Sequence, residues 1–441
     1  MLKSLNLRGI GPVPNLTASF GSRLNLITGD NGLGKSFLLD VSFWALTGTW
    51  PGGRIAIPGQ ESKFPEIHLS VQSKFKPTTR VAKYDFQSQS WSRQRGRPPM
   101  PGLVIYAGVD GSFVVWDPAR NYWRDPTSPQ GEWPRAFQFP PKSASDYDEH
   151  PQESRTVRRD VANGLEEGGR VLCNGLIADW NEWFYLQMSQ PEINPFQSLI
   201  EAIDLLSHPL EPIKCVAPTK VFVDDSRKFP TLEMPYGPVA YPHWSAGVKR
   251  VISFAYLIVW AWVEHLQAAK LRQEEPTNQI VLIIDEIEAH LHPRWQRTIL
   301  PAILNVAKHL SPGVEVQILA TTHSPLVMAS VESSFDSSQD ELFCFQFDPK
   351  QPVGKMVGFE NLPWAIHGDV VNWLTSDLFG LDQARSREAE TAIEAAEAFL
   401  RNDPAKLPES LQSYSAIQHE LERVLSNRDP FWPRWIVRTQ Q

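Results

Sequence analysis

Gly29-Asp30-Asn31-Gly32-Leu33-Gly34-Lys35-Ser36, followed by Phe37-Leu38-Leu39-Asp40, fits the pattern G-x-x-x-x-G-K-[ST], a phosphate-binding loop. A triphosphate needs backbone N–H groups aimed at its oxygens, and glycine lets the chain approach that closely. The pattern delivers the phosphates to a helix N-terminus, where unpaired amides and the helix dipole favour negative charge. Lys35 then reaches the β- and γ-phosphates, and Ser36 places its hydroxyl on Mg²⁺. The flanks agree: Leu24-Asn25-Leu26-Ile27-Thr28 reads as a strand entering the loop, and Ser36 to Leu46 as a helix leaving it. The loop predicts an α/β P-loop fold that takes a nucleoside triphosphate with Mg²⁺.

Composition bounds the rest. The 441 residues are enough for two or three domains, and 42% hydrophobic with 21% charged residues is ordinary for a globular chain. A formal charge of −8 argues against a protein that coats nucleic acid along its whole surface. Cys173, Cys215 and Cys344 lie far apart, without metal-ligand spacing, which suits a reducing compartment. Met1-Leu2-Lys3-Ser4 reads as strand rather than leader, and the apolar run Val251 to Val263 falls short of the ~20 residues of a membrane span. The expectation is a cytoplasmic protein with no membrane contact.

Residues 2–28 alternate apolar and polar positions, with a turn at Gly11-Pro12-Val13-Pro14, and predict a small antiparallel sheet ahead of the loop. Glu66 to Phe75 alternates again. Lys74, Lys76, Arg80, Lys83, Arg93, Arg95 and Arg97 interleave with Tyr84, Phe86 and Trp91. Such a stretch either grips DNA or RNA or forms a solvated hairpin with its aromatics packed inward. Asp110-Gly111 between Leu103-Val104-Ile105-Tyr106 and Phe113-Val114-Val115-Trp116 predicts a hairpin. Residues 125–160 lose periodicity and read as a loop-rich insertion. Helix is expected over Leu176 to Leu206 with a break at Pro191 to Pro195, over Ala246 to Lys270, and over much of Asp369 to Leu425. Ile280 to Ile284 and Val314 to Ala320 read as buried parallel strands joined by a helix from Trp295 to His309.

Three later motifs narrow the chemistry. Val281-Leu282-Ile283-Ile284-Asp285-Glu286 is an apolar strand ending in two acids. Asp285 can complete the Mg²⁺ shell with Ser36, while Glu286 faces the γ-phosphate and can deprotonate an attacking water. Ile318-Leu319-Ala320-Thr321-Thr322-His323 ends a second such strand, placing His323 at the edge where open α/β sheets bind ligands. Ser245 in Trp244-Ser245-Ala246-Gly247 either caps an ordinary helix or opens a ligand-facing one.

The Ser-x-Gly at Ser245 and Gly247 resembles the signature of ABC-type ATPases. The order of all four elements, with Asp285-Glu286-Ile287-Glu288-Ala289-His290-Leu291-His292-Pro293, resembles the SMC-, RecF- and OLD-like branch, and more closely the ATPases of Septu-like anti-phage modules. This resemblance implies a head with a mixed sheet, dimerising so that Ser245 and Gly247 meet a nucleotide held by a second copy. It implies a site of Gly29, Asp30, Asn31, Gly32, Leu33, Gly34, Lys35, Ser36 and Phe37 around the phosphates, Ser36 and Asp285 on the metal, and Glu286, His323 and Lys35 in catalysis. It also makes His290 and His292 part of the loop after Glu286 rather than a zinc pair. The expected organisation is a head from 1–50 and 210–365, an insertion from 51–209, and a helical region from 366–441.

The sequence departs from the pattern in places. Trp244 stands where an aliphatic residue usually leads the signature, no long heptad arms separate the motifs, and no acid cluster suggests a Toprim-like nuclease. The leading expectation is an ATP-hydrolysing switch that dimerises and gates a partner effector, a nuclease encoded nearby, or a nucleic-acid contact. The alternative is a scaffold that holds ATP unhydrolysed and restrains or assembles the effector; an SMC- or RecF-like repair ATPase ranks below it.

Overall fold

The computed structural model describes residues 1–59, 62, 64–73, 77–92, 100–121, 136–141, 159–187, 194–207, 212–310, 313–352, 356–381, 383–403, 405 and 407–439. The alternation of residues 2–28 becomes three strands, β1 (Leu2–Arg8), β2 (Asn15–Ser19) and β3 (Leu24–Gly29). β4 (Glu66–Gln72), β5 (Pro77–Asp85) and β6 (Ser90–Trp91) extend β1 and β2 into an antiparallel sheet of order β2-β1-β4-β5-β6. Leu2, Leu5 and Leu7 point into its core, and Lys3 and Arg8 face outward.

β3 leaves this sheet for a larger one. With β7 (Leu103–Ala107), β8 (Phe113–Trp116), β9 (Phe137–Phe139), β16 (Gln279–Ile284), β17 (Glu315–Thr321), β18 (Glu341–Phe347) and β19 (Val357–Leu362), it forms an eight-stranded mixed sheet of order β19-β18-β3-β17-β16-β7-β8-β9. The five central strands, β18 to β7, run parallel, and the outer strands are antiparallel. Every residue of β3 and β7 is buried, as expected for parallel strands covered on both faces. Gln317 ties the two sheets: its side chain accepts from the Leu2 N–H and donates to the Leu2 and Gly21 carbonyls.

β7 to β9 carry part of the segment 51–209 into the large sheet: β7 pairs with β16 in parallel from Leu103 opposite Ile280 to Ala107 opposite Ile284. The partner strand lies far along the chain, so local pattern could not reveal it. Two small antiparallel sheets follow: β10 (Arg159–Asp160), β11 (Gly164–Glu167) and β12 (Arg170–Cys173), then β13 (Lys214–Lys220), β14 (Lys228–Met234) and β15 (Gly237–Ala240). Of the basic stretch, Lys74, Lys76, Arg93, Arg95 and Arg97 lie outside the described residues, as does most of 125–160. Trp91 is buried, donates its indole N–H to the Ala56 carbonyl at 2.8 Å, and meets Tyr84 edge to face.

The helices of this unit are α1 (Lys35–Thr47), α2 (Leu176–Leu186), α3 (Pro195–Leu206), α4 (Ala246–Arg272), α5 (Pro293–Leu310) and α6 (Pro325–Ser330). α4 spans the helix expected over Ala246 to Lys270 and runs well beyond the apolar stretch at 251–263. By length and composition it would suffice to cross a bilayer, but its apolar window is 67% buried inside the protein. Buried His265 anchors it, with Nδ1 2.7 Å from Asp117 Oδ1 and Nε2 accepting from the Thr277 N–H at 2.9 Å.

About three turns into α4, Tyr256 donates to Asp179 Oδ2 at 2.6 Å, and Asn174 donates to Asp179 Oδ1. Burial raises the Asp179 carboxyl from 3.8 to about 6, against the lowering effect of these bonds. A raised folded-state pKa favours the fold fully below the unfolded value and loses that contribution as pH rises through about 6. The wild-type chain should therefore gain ~1–2 kcal/mol over Asp179→Asn on going from about pH 7.5 to about pH 5, because the amide does not titrate. Urea unfolding of both chains at the two pH values checks this; parallel stability changes would contradict it.

Residues Asp369–Gln441 form a second compact unit, separate from Met1–Gly368. It holds α7 (Val370–Leu374), α8 (Arg387–Leu400), α9 (Tyr414–Val424) and α10 (Trp432–Thr439). Ala392, Ala396, Ile417, Leu421 and Trp435 make its core, and Ser386 and Ser413 cap α8 and α9 through their hydroxyls.

Candidate functional site

The C-terminal ends of β3, β17, β16 and β7 open on one edge of the large sheet. β3 ends at Gly29, and the loop enters α1 through Gly34, whose φ of 105° is a left-handed conformation that favours glycine. Gly29 is also required by contact, since a Cβ there would meet the Phe345 carbonyl at 2.2 Å. Lys35 is buried and folds back over the loop, donating to the Gly29 carbonyl at 2.9 Å and the Asp30 carbonyl at 2.7 Å. Burial lowers its pKa, while Glu286, Asp285 and Asp30 act in the opposite sense. Asp30, Asn31, Gly32 and Ser36 are exposed, Gly34 and Phe37 half-buried and Leu33 buried. Asp40, one turn further, fixes α1 to the sheet by accepting from Tyr106 at 2.7 Å and from Arg54 at 3.0 and 3.1 Å.

β16 ends at the two acids. Asp285 is buried, and its Oδ1 accepts from the Thr321 hydroxyl at 2.7 Å. Glu286 is half-buried with a φ of 46°, a conformation that costs a non-glycine residue ~1–3 kcal/mol unless its surroundings enforce it. They do so here. Its N–H donates to Thr321 Oγ1 at 2.7 Å, and the Arg250 guanidinium of α4 donates to the Asp285 and Glu286 carbonyls at 3.0 and 3.2 Å. The other Arg250 terminal nitrogen reaches the Gly108 and Val109 carbonyls in the turn after β7.

β17 ends at Thr321, and two residues on stands His323, whose Nε2 lies 3.9 Å from Glu286 Oε1. Burial and then the Lys35 charge lower the His323 pKa against Glu288, Glu286 and Asp285, so the imidazole is neutral at neutral pH. Ser245 caps α4 by accepting from the Val248 N–H at 3.3 Å, and both Ser245 and Ala246 are exposed. Gly247 packs against the loop after Glu286: a Cβ there would come 2.6 Å from the His290 carbonyl.

Lys35, Asp285, Glu286 and His323 thus share one edge, and Ser245 and Gly247 begin the helix that packs on its acidic loop. The residues fit a magnesium nucleotide. The exposed Ser36 hydroxyl and the Asp285 carboxylate are hard oxygen donors of the kind Mg²⁺ takes, and the loop glycines leave the phosphates room. Sequence reasoning passed over Arg250, Thr321, Glu288 and Gln296, all of which act on backbone or on loop partners. Their only signal was position, within or next to motifs already quoted.

Residues 4–101 match the family described as "AAA domain", and residues 231–329 match "AAA domain, putative AbiEii toxin, Type IV TA system". The first segment carries the phosphate-binding loop; the second carries Ser245, Gly247, Asp285, Glu286 and His323. The Septu protein PtuA of Bacillus thuringiensis is 32% identical over 106 residues, 24% of this chain and 24% of that protein. The Retron Vc95 probable ATPase of Vibrio cholerae serotype O1 biovar El Tor is 41% identical over 61 residues, 14% of this chain and 11% of that protein. The matches span a quarter or less of these relatives. Among solved structures, the SMC head domain from Thermotoga maritima aligns over 82% of this chain and 99% of that chain, with a TM-score of 0.38 and 14% identity. In these matches the chain resembles AAA-domain ATPases, and the Septu protein PtuA in particular, and in its motifs it resembles the SMC-, RecF- and OLD-like branch.

Proposed function

We propose that this chain is an ATP-hydrolysing switch of anti-phage defence that closes around ATP as a homodimer or higher homo-oligomer and thereby gates an effector nuclease or a nucleic-acid contact. The reading is carried by the convergence of Lys35, Asp285, Glu286 and His323 at one sheet edge, and the Septu and retron likenesses support the defence setting. A cytoplasmic location goes with it.

In this mechanism the phosphates displace the Gly29 and Asp30 carbonyls from Lys35, whose ammonium then donates to β- and γ-phosphate oxygens. Ser36 and Asp285 would hold Mg²⁺, which when bound neutralises phosphate charge. Glu286 accepts a proton from the water that attacks the γ-phosphorus; the new water O–P bond forms as the bond to the bridging β–γ oxygen breaks, and ADP leaves. Neutral His323 donates to the γ-phosphate oxygens, and the exposed Ser245 and half-buried Gly247 of one copy face the nucleotide held by the other.

ATP turnover of the purified chain, alone, with DNA or RNA, and with the product of a neighbouring gene, tests the proposal. Mg²⁺-dependent phosphate release that rises with one of these additions is expected. A background rate under every condition would contradict hydrolysis and leave the chain an ATP-held scaffold.

A further inference from the structure

Four consecutive residues, from the last of β17 onward, are each tied by a side chain to the segment after β16. Thr321 Oγ1 donates to Asp285 Oδ1 and accepts from the Glu286 N–H, each at 2.7 Å. The Thr322 hydroxyl donates to Glu288 Oε2 at 2.8 Å, and the His323 N–H donates to Glu288 Oε1 at 2.5 Å. Ser324 Oγ donates to Gln296 Oε1 at 2.7 Å, and the Gln296 amide donates in turn to the Leu291 carbonyl at 3.0 Å. Of these ties, only that of Glu288 spends both carboxylate oxygens on the second loop. One of them grips the backbone of His323 itself.

The geometry follows from spacing. Glu288 lies three residues beyond Asp285 in a chain turned back by the positive φ of Glu286, so its carboxylate returns toward β17 instead of running out to solvent. A carboxylate accepting two hydrogen bonds from adjacent residues fixes their orientation as well as their distance. The His323 backbone therefore cannot rotate without breaking its bond to Glu288, and the imidazole stays 3.9 Å from Glu286.

We propose that Glu288 is a positioning residue for ATP hydrolysis: its carboxylate clamps Thr322 and His323 so that the imidazole stands beside Glu286, over the place of the γ-phosphate. The inference rests on the ATPase reading above. Glu288 acts through His323 and touches no nucleotide, so its loss slows turnover and leaves ATP affinity in place.

The test compares ATP turnover and ATP affinity for the wild-type chain, Glu288→Ala, Glu288→Gln, His323→Ala and the Glu288→Ala/His323→Ala double variant. Glu288→Ala is expected to lose about 30–100-fold in kcat, the scale of a misplaced catalytic group, with ATP Kd within about threefold of wild type. Glu288→Gln, which keeps the shape and one acceptor, is expected to lose about 5–10-fold and carries the test should the alanine variant not fold. The double variant should be no slower than His323→Ala alone, because the two residues act as one unit. Wild-type turnover together with a Glu288→Gln rate within about twofold of it, or with a double variant slowed by the product of the single effects, would overturn the clamp alone. Absence of turnover in the wild-type chain would overturn the ATPase reading and the clamp with it.

Discussion

Lys35→Ala is expected to weaken ATP binding by about 10²–10³-fold, the largest change in affinity at this site. The ammonium makes two short bonds to loop carbonyls, at 2.9 and 2.7 Å, and on the proposed mechanism it exchanges them for charged phosphate oxygens. Two charge-assisted bonds at ~1.5–3 kcal/mol each cover that range. Alanine also leaves the Gly29 and Asp30 carbonyls without their Lys35 partner, so the loop loses its internal brace as well as its ligand contact. Nucleotide titration by calorimetry, with circular dichroism to confirm that the variant folds, measures the effect. Affinity within about tenfold of wild type would show that the phosphates do not meet Lys35.

Glu286→Gln is expected to separate binding from chemistry. Glutamine keeps the size of the side chain and the backbone contacts with Thr321 and Arg250 that hold the left-handed turn. It cannot accept a proton from water, and loss of a positioned base costs about 10²–10⁴-fold in rate. ATP affinity should be retained or improved, because two acids compete for charge near the phosphates and one of them is removed. A variant with near wild-type turnover would move the base elsewhere, and its pH profile would identify the replacement.

Much of the site was legible in the sequence because its signals are local. Glycines at 29, 32 and 34 announce a loop with positive φ at all three, and the apolar runs ending at Ile284 and Ala320 announce buried parallel strands with polar ends. The Asp110-Gly111 hairpin needed only its own turn chemistry. What escaped depends on which strands become neighbours. β7 joins the large sheet only because β16 arrives beside it much later in the chain, and with it come the Gly108 and Val109 carbonyls that Arg250 holds. Glu288 and Gln296 read as ordinary polar residues after a motif until β16 and β17 pair and bring their loops together. The helix expected over Ala246 to Lys270 is α4, and the Glu264 and His265 that end its apolar run stay within it, His265 buried against Asp117.

The central claim is that one site is completed by two copies of the chain, with exposed Ser245 and half-buried Gly247 serving a neighbour's nucleotide. Light scattering of the Glu286→Gln protein, with and without saturating ATP and Mg²⁺, measures this most directly, because slow hydrolysis holds the closed state long enough to weigh. The account predicts that ATP raises the mass to at least twice that of the single chain and that removing nucleotide reverses it. An unchanged mass in a sample shown to have ATP bound would contradict the composite site.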